Sequence, residues 1–322
     1  MVNVIIPTYK ARETLPAALD SLVAQTKKMF ITSIVQDCDG EDYSDIIEEY
    51  RRRGLKIYVF STPANGGPGV ARQVGLDHNS MCDYVMFMDS DDMLMPRAID
   101  ALYREAKGND ADVVISSFMV EQNHQPARLC DSETTPVTWT HGKIYKHKYL
   151  VDNKIRFPND LRLNEDSYFN LVAVNSTKQK FRIPEVTYLW RDNPNSLTRD
   201  KQEVSFFEKS WEQYILGQAR GLIDIERITE GAGPDPGLFA ATLNNMYQHF
   251  MEAIYHDLDT STAKEYCKIL QASSMFRKAI DTSDFWKVVN EVLKGSMLTD
   301  DSIIFFKMRF CDWLDEYVLK NV

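Results

Sequence analysis

Three carboxylates fall within four residues at Asp89, Asp91 and Asp92, directly after the apolar residues 86–88. Like charges this close repel one another, so the arrangement needs a compensating group. A divalent cation such as Mg²⁺ or Mn²⁺ supplies one, because it binds carboxylate oxygens and keeps positions open for water and phosphate. A solvated acidic turn, or a helix N-cap ahead of Pro96, gives the same pattern without a ligand. The spacing therefore predicts a metal site, with a structural turn as the alternative.

A second acidic pair, Glu165 and Asp166, opens a stretch in which apolar residues recur at helical spacing. Acidic side chains in a first helical turn stabilise the helix dipole, and that role involves no chemistry. A carboxylate beside a bound hydroxyl group can instead accept its proton during a group transfer. Both interpretations are open on this segment alone.

Short apolar runs alternate with amphipathic stretches over the first 120 residues. This alternation predicts an α/β fold with βαβ units and a Rossmann-like, mainly parallel sheet flanked by helices. In such sheets the ligand lies beyond the carboxyl ends of the strands. Polar clusters at Asp37 and Asp39, at residues 65–67 and at residues 89–92 each follow a predicted strand, so we expect one edge of the sheet to collect the chemistry. The predicted strands cover residues 2–6, 31–36, 55–60, 83–88 and 112–120.

Beyond residue 200 the strand signal fades and apolar residues recur at helical spacing. We interpret residues 201–322 as a helical C-terminal appendage, joined through the glycine- and proline-rich turn at residues 231–237. Apolar stripes on helices most often form a core, so they do not by themselves indicate a binding surface. The positions are Phe206, Phe207, Trp211, Leu243, Met246, Tyr247, Phe250, Ile254, Phe285, Val288, Val289, Val292 and Leu293.

The composition is that of a soluble globular protein, with 44% hydrophobic and 26% charged residues. A formal net charge of -10 argues against a general nucleic-acid binder. The five cysteines are scattered without a CxxC spacing, which fits reduced thiols better than disulfides or a zinc site. The sequence shows no signal-peptide core and no apolar run near the ~20 residues of a membrane span. We expect no transmembrane segment and a cytoplasmic location, and a peripheral contact with the inner face of a membrane stays open.

Several segments, in chain order, resemble the family 2 glycosyltransferases of the A-type fold. They are residues 4–10 (VIIPTYK), 34–38 (IVQDC), 65–72 (NGGPGVAR), 87–92 (FMDSDD), 141–146 (HGKIYK), 165–169 (EDSYF) and 188–191 (YLWR) with Ser196. The resemblance implies transfer of a sugar, with inversion, from a nucleotide diphosphate donor of the UDP type to a hydroxyl acceptor, a glycan or a lipid-linked saccharide, with Mn²⁺ or Mg²⁺ bound. It also implies a nucleotide-sugar-binding and catalytic domain over residues 1–200, and a helical domain over residues 201–322 that holds the acceptor, a partner or a second copy of the chain.

The resemblance assigns roles to individual residues. Asp91 and Asp89 would bind the metal, with Asp89 contacting either the ribose of the donor or the water shell of the ion. Asp166 would be the general base, and Glu165 would support it. Asp37 would accept a hydrogen bond from the base of the donor, a uracil or a related pyrimidine. The donor-binding residues are Pro7, Thr8, Tyr9, Asp37, Asp39, Asn65, Gly66, Gly67, Arg72, Asp89, Ser90, Lys143 and Arg191.

Several of these roles have alternatives. The family usually has two adjacent acids, then Gly-Ser and Asp, where this chain has residues 36–40 (QDCDG), so Asp39 could replace Asp37 at the base. Arg72 pairs either with a phosphate or with a carboxylate, and in the second case it ties down the metal-motif loop. Lys143 and Arg191 add positive charge near the diphosphate or are surface residues.

Three other functions stay open at this point. The first is a glycosyltransferase that acts on hydroxymethylated bases in DNA, and the local basic runs are its only support. The second is a nucleotide-sugar-binding protein without turnover. The third is a nucleotidyltransferase, because a fold does not fix a function.

Overall fold

A computed structural model describes residues 1–78, 81–122, 125–134, 138–193 and 204–230. The chain divides into two units, Met1–Gln202 and Glu203–Val322. The second unit contributes one described helix, α7 (Val204–Ile228). The other predicted helical stripes of this unit, from Leu243 to Leu293, lie outside the described residues, and so does Ser196 of the first unit. The predicted roles of the two domains stay predictions. Within the described ranges, no helix has both the length and the hydropathy needed to cross a bilayer.

One half of the sheet is parallel, in the strand order β3-β2-β1-β4. Central strand β1 is buried at all of its positions, as expected for a parallel strand covered on both faces. The strands are β1 (Val2–Thr8), β2 (Phe30–Gln36), β3 (Ile57–Ser61) and β4 (Tyr84–Phe87), and the connecting helices are α1 (Leu15–Val23), α2 (Ser44–Arg52) and α3 (Pro68–Asp77). The carboxyl ends of these strands therefore lie along one edge, as the alternating pattern predicts.

The other half of the sheet is mixed and continues from β4 in the order β8-β6-β9-β5. Strands β6 and β9 are parallel, whereas the pairs β4–β8, β6–β8, β5–β9 and β6–β7 are antiparallel. These strands are β5 (Met93–Leu94), β6 (Val113–Gln122), β7 (Gln125–Cys130), β8 (Lys143–Lys146) and β9 (Lys180–Trp190), and the helices are α4 (Ala98–Gly108), α5 (His147–Asp152) and α6 (Glu165–Asn175). The predicted α/β fold is confirmed, and its sheet is parallel up to β4 and mixed beyond it.

The observed strand bounds differ from the predicted ones by a few residues, and the starts of β3 and α4 have local reasons. Strand β3 begins at Ile57 and not at residue 55, because the N–H groups of Gly54 and Leu55 donate to the carbonyls that end α2. Helix α4 begins at Ala98, two residues after Pro96, because the N–H of Ala98 closes a turn onto the carbonyl of Met95.

An aromatic cluster connects the end of β4 to the start of α6. The rings of Phe157 and Phe169 stack with centroids 4.1 Å apart, and Phe87 packs edge-on against them at 5.1 and 5.5 Å. Tyr145 of β8 completes the cluster, and its hydroxyl donates to Asn170 Oδ1 at 2.5 Å. Packing of this kind fixes the distance between the residues that follow β4 and the first turn of α6.

Candidate functional site

Arg72 joins the two acidic segments that the sequence singles out. Its Nη2 donates to Asp89 Oδ1 at 2.6 Å, and its Nη1 donates to Glu165 Oε1 at 2.7 Å. The side chains of Arg72 and Glu165 are only 5% and 6% exposed, and the guanidinium lies 5.8 Å from the centroid of the Phe157 ring. Of the two roles expected for Arg72, the structure has the carboxylate pairing that ties down the loop after β4.

The pKa values of the acidic groups around Arg72 move in different directions. Burial raises the pKa of Asp89, but the charge of Arg72 and the neighbouring His141 outweigh it and hold this pKa well below its usual range. Burial and the neighbouring Asp166 raise the pKa of Glu165 to about 7, against the effect of Arg72. Burial also raises the pKa of Asp166. Carboxyl groups whose pKa values separate in this way suit different tasks, an ionised ligand and a proton acceptor.

Asp92 connects the loop after β4 to the end of β9. It is buried, its Oδ2 accepts a hydrogen bond from the Tyr188 hydroxyl at 2.6 Å, and its Oδ1 accepts one from the Arg191 N–H at 2.8 Å. Burial and the charges of Asp89 and Asp91 raise its pKa well above the usual value. Asp92 therefore fixes the loop after β4 to the end of β9.

Asp91 lies nearer the surface than Asp92. Its Oδ2 accepts a hydrogen bond from Asn193 Nδ2 at 2.7 Å, and burial together with Asp89 raises its pKa. The half-exposed Ser90 lies between Asp89 and Asp91 at the open side of the loop.

Three side chains form a donor group that fits a cation. One ligand atom from each of Asp89, Asp92 and His141 lies within 4.8 Å of the other two. Two carboxylate oxygens and an imidazole nitrogen suit a divalent ion, so the residues fit the metal that the family resemblance implies. Asp91 is not a member of this group, and its role as a ligand stays a prediction.

The metal-binding pair predicted from the sequence, Asp89 and Asp91, includes neither His141 nor Asp92, although Asp92 belongs to the acidic cluster that predicts the site. His141 lies two residues before β8, and β8 runs antiparallel to β4. Its amino end therefore meets the carboxyl end of β4, where Asp89 lies. The alternating pattern predicts parallel strands and cannot reveal this reversal, so the available signal was a histidine as the first residue of the segment 141–146 (HGKIYK).

Asp37 holds the glycine-rich turn. Its Oδ1 accepts hydrogen bonds from Thr62 Oγ1 at 2.8 Å and from the Gly66 N–H at 2.9 Å, and its Oδ2 accepts one from the Gly67 N–H at 2.7 Å. The side chain is buried, with 3% of the residue exposed. A carboxylate has about four acceptor sites, so one remains for a ligand. Asp37 thus organises the turn in addition to the base-reading role predicted for it.

Asp39 is the more accessible of the two candidate base readers. Its Oδ2 accepts hydrogen bonds from the Lys10 N–H at 2.7 Å and from the Tyr43 hydroxyl at 2.5 Å, and its Oδ1 accepts one from the Glu41 N–H at 3.0 Å. These bonds lower its pKa although burial opposes them. Both Asp37 and Asp39 lie at the carboxyl end of β2, and the choice between them stays open.

The glycine-rich turn brings α3 against α6. Gly67 has φ +86°, a left-handed conformation that favours glycine, and α3 begins at the next residue. A Cβ on Gly69 would lie 2.5 Å from Glu165 Cγ, so the helices approach closely at this position. Arg162 Nη2 donates to the carbonyl and to Oδ1 of Asn65, at 2.5 and 2.9 Å, and this fixes the exposed end of the turn.

The residues at the end of β1 differ in exposure. Pro7 and Thr8 are buried, and Thr8 Oγ1 donates to the Val35 carbonyl at 3.3 Å. Tyr9 is 43% exposed, with Lys10 Nζ 5.4 Å from the centroid of its ring. Tyr9 is therefore the member of this segment whose side chain is open to a ligand.

Lys143 is buried, so the alternative that it is a surface residue is wrong. Its Nζ donates to the carbonyls of Trp139 at 2.6 Å and His141 at 3.2 Å. Burial lowers its pKa to about 7. Arg191 is partly exposed, its Nε lies 3.9 Å from Glu121 Oε2, and its N–H donates to Asp92.

Comparison with known proteins shows what the chain is similar to. The model of the family described as Glycosyl transferase family 2 matches residues 3–158, just under half of the chain and a range that includes the glycine-rich turn and the three acids after β4. The resemblance predicted from the sequence is confirmed over these residues.

Two relatives show how much of a family 2 protein this chain covers. The uncharacterized glycosyltransferase EpsJ of Bacillus subtilis is 27% identical over 234 residues, 66% of this chain and 67% of EpsJ. The poly(ribitol-phosphate) beta-N-acetylglucosaminyltransferase TarS of Staphylococcus aureus is 29% identical over 184 residues, 53% of this chain and 32% of TarS. The match thus spans two thirds of EpsJ and less than a third of TarS.

Solved structures share the fold of this chain. The crystal structure of S. aureus TarS 1-349 in complex with UDP-GlcNAc has a TM-score of 0.68 at 19% identity, covering 97% of this chain and 88% of that one. The mannosyltransferase PcManGT from Pyrobaculum calidifontis, in complex with GDP-Man and Mn²⁺, has a TM-score of 0.52 at 12% identity and covers 92% and 88%. At these identities the likeness concerns the fold, and the A-type α/β fold implied by the resemblance is confirmed.

Proposed function

We propose that this family 2 protein transfers a sugar from a UDP-sugar to a hydroxyl group of a glycan or lipid-linked saccharide, with inversion and with Mn²⁺ or Mg²⁺ bound. The observation that carries the proposal is the meeting of two acidic segments on the guanidinium of Arg72. The segment after β4 suits a metal and a diphosphate, and the first turn of α6 suits an acceptor hydroxyl. A transfer between two substrates needs both groups in one site.

The donor side draws support from the fold and from the chemistry of its neighbours. TarS has been crystallised with UDP-GlcNAc and PcManGT with GDP-Man, both of them nucleotide diphosphate sugars. In this chain, Asp37 or Asp39 would accept a hydrogen bond from the base, and the exposed Tyr9 would line the same pocket. UDP-GlcNAc is therefore the first donor to test.

The metal side rests on the ionised state of Asp89. When bound, a divalent ion neutralises charge on the diphosphate and stabilises the leaving group. Arg72 holds the pKa of Asp89 low, so this carboxylate is ionised at neutral pH and available to a cation. We keep Asp91 and Asp89 as the proposed metal-binding pair, and the donor group of Asp89, Asp92 and His141 fits the same ion.

Asp166 serves as the general base in this proposal. It lies partly buried in the first turn of α6, and its Oδ1 accepts a hydrogen bond from the Ser167 N–H at 2.8 Å. Asp166 takes the proton of the acceptor hydroxyl as that oxygen bonds to the sugar and the bond to the diphosphate breaks. A raised pKa makes a carboxylate a better proton acceptor. Glu165 is turned onto Arg72 and positions the helix.

A panel of nucleotide sugars tests the proposal on the full chain. UDP-GlcNAc, UDP-glucose and UDP-galactose are offered with Mn²⁺ or Mg²⁺, and GDP-mannose serves as the control donor. A ligand at ~100 times its dissociation constant should stabilise the fold by ~2.7 kcal/mol. We expect one UDP-sugar to stabilise the chain and to release free UDP when acceptors are added.

The products separate the alternatives. Release of pyrophosphate would mean nucleotidyl transfer, and donor binding without release of UDP from any acceptor would mean a binding protein. No stabilisation by any UDP-sugar would overturn the proposed donor class.

A further inference from the structure

His141 brings an imidazole to the acidic loop after β4. Its Nε2 is 3.8 Å from Asp89 Oδ2, and a ligand atom of Asp92 lies within 4.8 Å of both residues' ligand atoms. The 3.8 Å separation is too long for a hydrogen bond. Two ligands that each lie ~2.1 Å from one ion can be up to ~4.2 Å apart, so the spacing accommodates a bridging cation.

The two nitrogens of His141 have different surroundings. The residue is 5% exposed, and its buried Nδ1 has no hydrogen-bond partner among the residues that the structure describes. Aromatic rings orient the imidazole instead: Tyr188 stacks on it at 4.7 Å and 8°, and Trp190 and Phe118 lie at 5.2 and 5.6 Å. The nitrogen that faces Asp89 is Nε2, so Nε2 and not the unpaired Nδ1 is the candidate ligand atom.

The backbone beside His141 is fixed from two sides. Lys143 Nζ binds the carbonyls of Trp139 and His141. Gly142 has φ +61°, and its carbonyl accepts hydrogen bonds from the N–H and Oγ of Ser116, both at 2.8 Å. A ligand held this firmly before the ion arrives loses little entropy on binding, as a preorganised site requires.

The three members of the group differ in exposure. The Asp89 side chain is 30% exposed, whereas Asp92 and His141 are buried. A cation in this group would reach solvent and a donor diphosphate past Asp89.

We propose that His141 is a metal ligand of this site, with Asp89 and Asp92, and that its imidazole makes the site prefer first-row transition ions such as Mn²⁺ to Mg²⁺. The inference rests on the proposed function for the presence of a metal at this edge. An imidazole nitrogen binds transition ions, whereas Mg²⁺ takes oxygen ligands in near-ideal octahedral geometry.

Electron–nuclear double resonance tests the ligand directly on the full chain. Protein made with ¹⁴N-histidine and with ¹⁵N-histidine is loaded with Mn²⁺ alone and then with Mn²⁺ and UDP. We expect a hyperfine coupling to a histidine nitrogen that changes with the isotope. If neither sample shows it, the inference is overturned, even if the chain transfers sugar. If the coupling appears and no sugar is transferred, the site stands and the proposed function fails.

Two variants assign the coupling. His141→Gln should lose it and should bind Mn²⁺ at least ~10-fold more weakly in calorimetry, with a smaller change for Mg²⁺. His147→Gln is the matched control, because His147 is also buried but its Nε2 lies 3.2 Å from the Leu76 carbonyl at the opposite edge of the sheet. A coupling that survives in His141→Gln, or is lost in His147→Gln, contradicts the assignment. The isotope result on the unaltered chain decides the matter if His141→Gln does not fold.

Discussion

Arg72 supplies the positive charge that lets two acidic segments lie side by side in the site. Its guanidinium binds Asp89 and Glu165 while almost fully buried. Removing one member of a buried ion pair typically costs ~3–5 kcal/mol, because the partner is left without a countercharge. The same charge holds the pKa of Asp89 low, and Glu165 still has a pKa of about 7. Arg72 thus contacts two carboxyl groups with different pKa values: Asp89, which is ionised at neutral pH, and Glu165, which titrates near neutral pH.

Asp166→Asn should lower transfer by ~10²- to 10⁴-fold, the usual contribution of a positioned base. Asparagine keeps the size of the side chain and can still accept the Ser167 N–H, but it cannot take the hydroxyl proton. Donor affinity should change little, because the residues proposed for donor binding lie on other segments. Turnover is measured at saturating donor and acceptor, and donor affinity is measured separately. Near-normal turnover would remove Asp166 as the base, and a larger loss in Glu165→Gln would move the role to Glu165.

Asp91→Ala should abolish metal-dependent donor binding, because it removes an oxygen ligand from a site with few protein ligands. Calorimetry with UDP-sugar in the presence of Mn²⁺ measures the effect. Asp110→Ala is the control, since Asp110 is exposed and pairs with Lys146 at the opposite edge of the sheet. Undiminished affinity in Asp91→Ala would leave Asp89, Asp92 and His141 as the metal site.

Glu165→Gln should flatten the dependence of stability on pH. In the folded chain the pKa of Glu165 is about 7, above its ordinary 4.5, so between these pH values the folded state holds a proton that the unfolded state has lost. Stability therefore falls as pH rises through this window, by at most ~1.4 kcal/mol for each pH unit crossed. Glutamine can still accept from Arg72 and does not titrate. Thermal unfolding from pH 4.5 to 8 should show a smaller decline in Glu165→Gln than in the unaltered chain, and parallel curves would contradict the raised pKa.

At the scale of helices and strands, the close approach of α3 and α6 sets the distance between donor and acceptor sides. Gly69→Ala would place a Cβ 2.5 Å from Glu165 Cγ, and Arg72 leaves Glu165 little freedom to move. We expect a loss of ~1–3 kcal/mol in the free energy of unfolding, together with reduced transfer. Gly108→Ala at the end of α4 has nothing within 4 Å and should stabilise the chain by ~0.4–1 kcal/mol. Urea unfolding compares the two, and equal effects would show that the helices are not tightly apposed.

The alternating pattern was sufficient to predict the parallel half of the sheet and the edge where its polar clusters meet. Strands β1 to β4 and the acids that follow β2 and β4 lie where βαβ spacing puts them. The alternating pattern could not predict that β8 runs antiparallel to β4, so the position of His141 beside Asp89 and the burial of Lys143 were missed. Nor could it show that Asp37 binds the turn of Gly66 and Gly67, because that contact depends on side-chain direction and not on spacing.

At the scale of the whole molecule, a chain that ends near Asp200 should still bind donor. The segments proposed for the donor all lie upstream, within the unit Met1–Gln202. We expect residues 201–322 to hold the acceptor or a partner, so transfer and not donor affinity should suffer. Calorimetry on the truncated and full chains compares the affinities. Total loss of donor binding in a truncated chain with native circular dichroism would contradict this assignment.

Asp92 depends on partners that the ribosome makes much later. The Tyr188 hydroxyl and the Arg191 N–H lie 96 and 99 residues further along the chain, and Glu165 follows Arg72 by 93. At ~5–20 residues per second, synthesis of such a stretch takes roughly 5–20 s. During that interval the nascent chain contains Asp89, Asp91 and Asp92, but it does not yet contain β9, whose end supplies the hydrogen bonds to Asp92. A messenger RNA that ends before the codons for β9 would therefore yield a protein that contains Asp89, Asp91 and Asp92 but lacks both hydrogen-bond partners of Asp92.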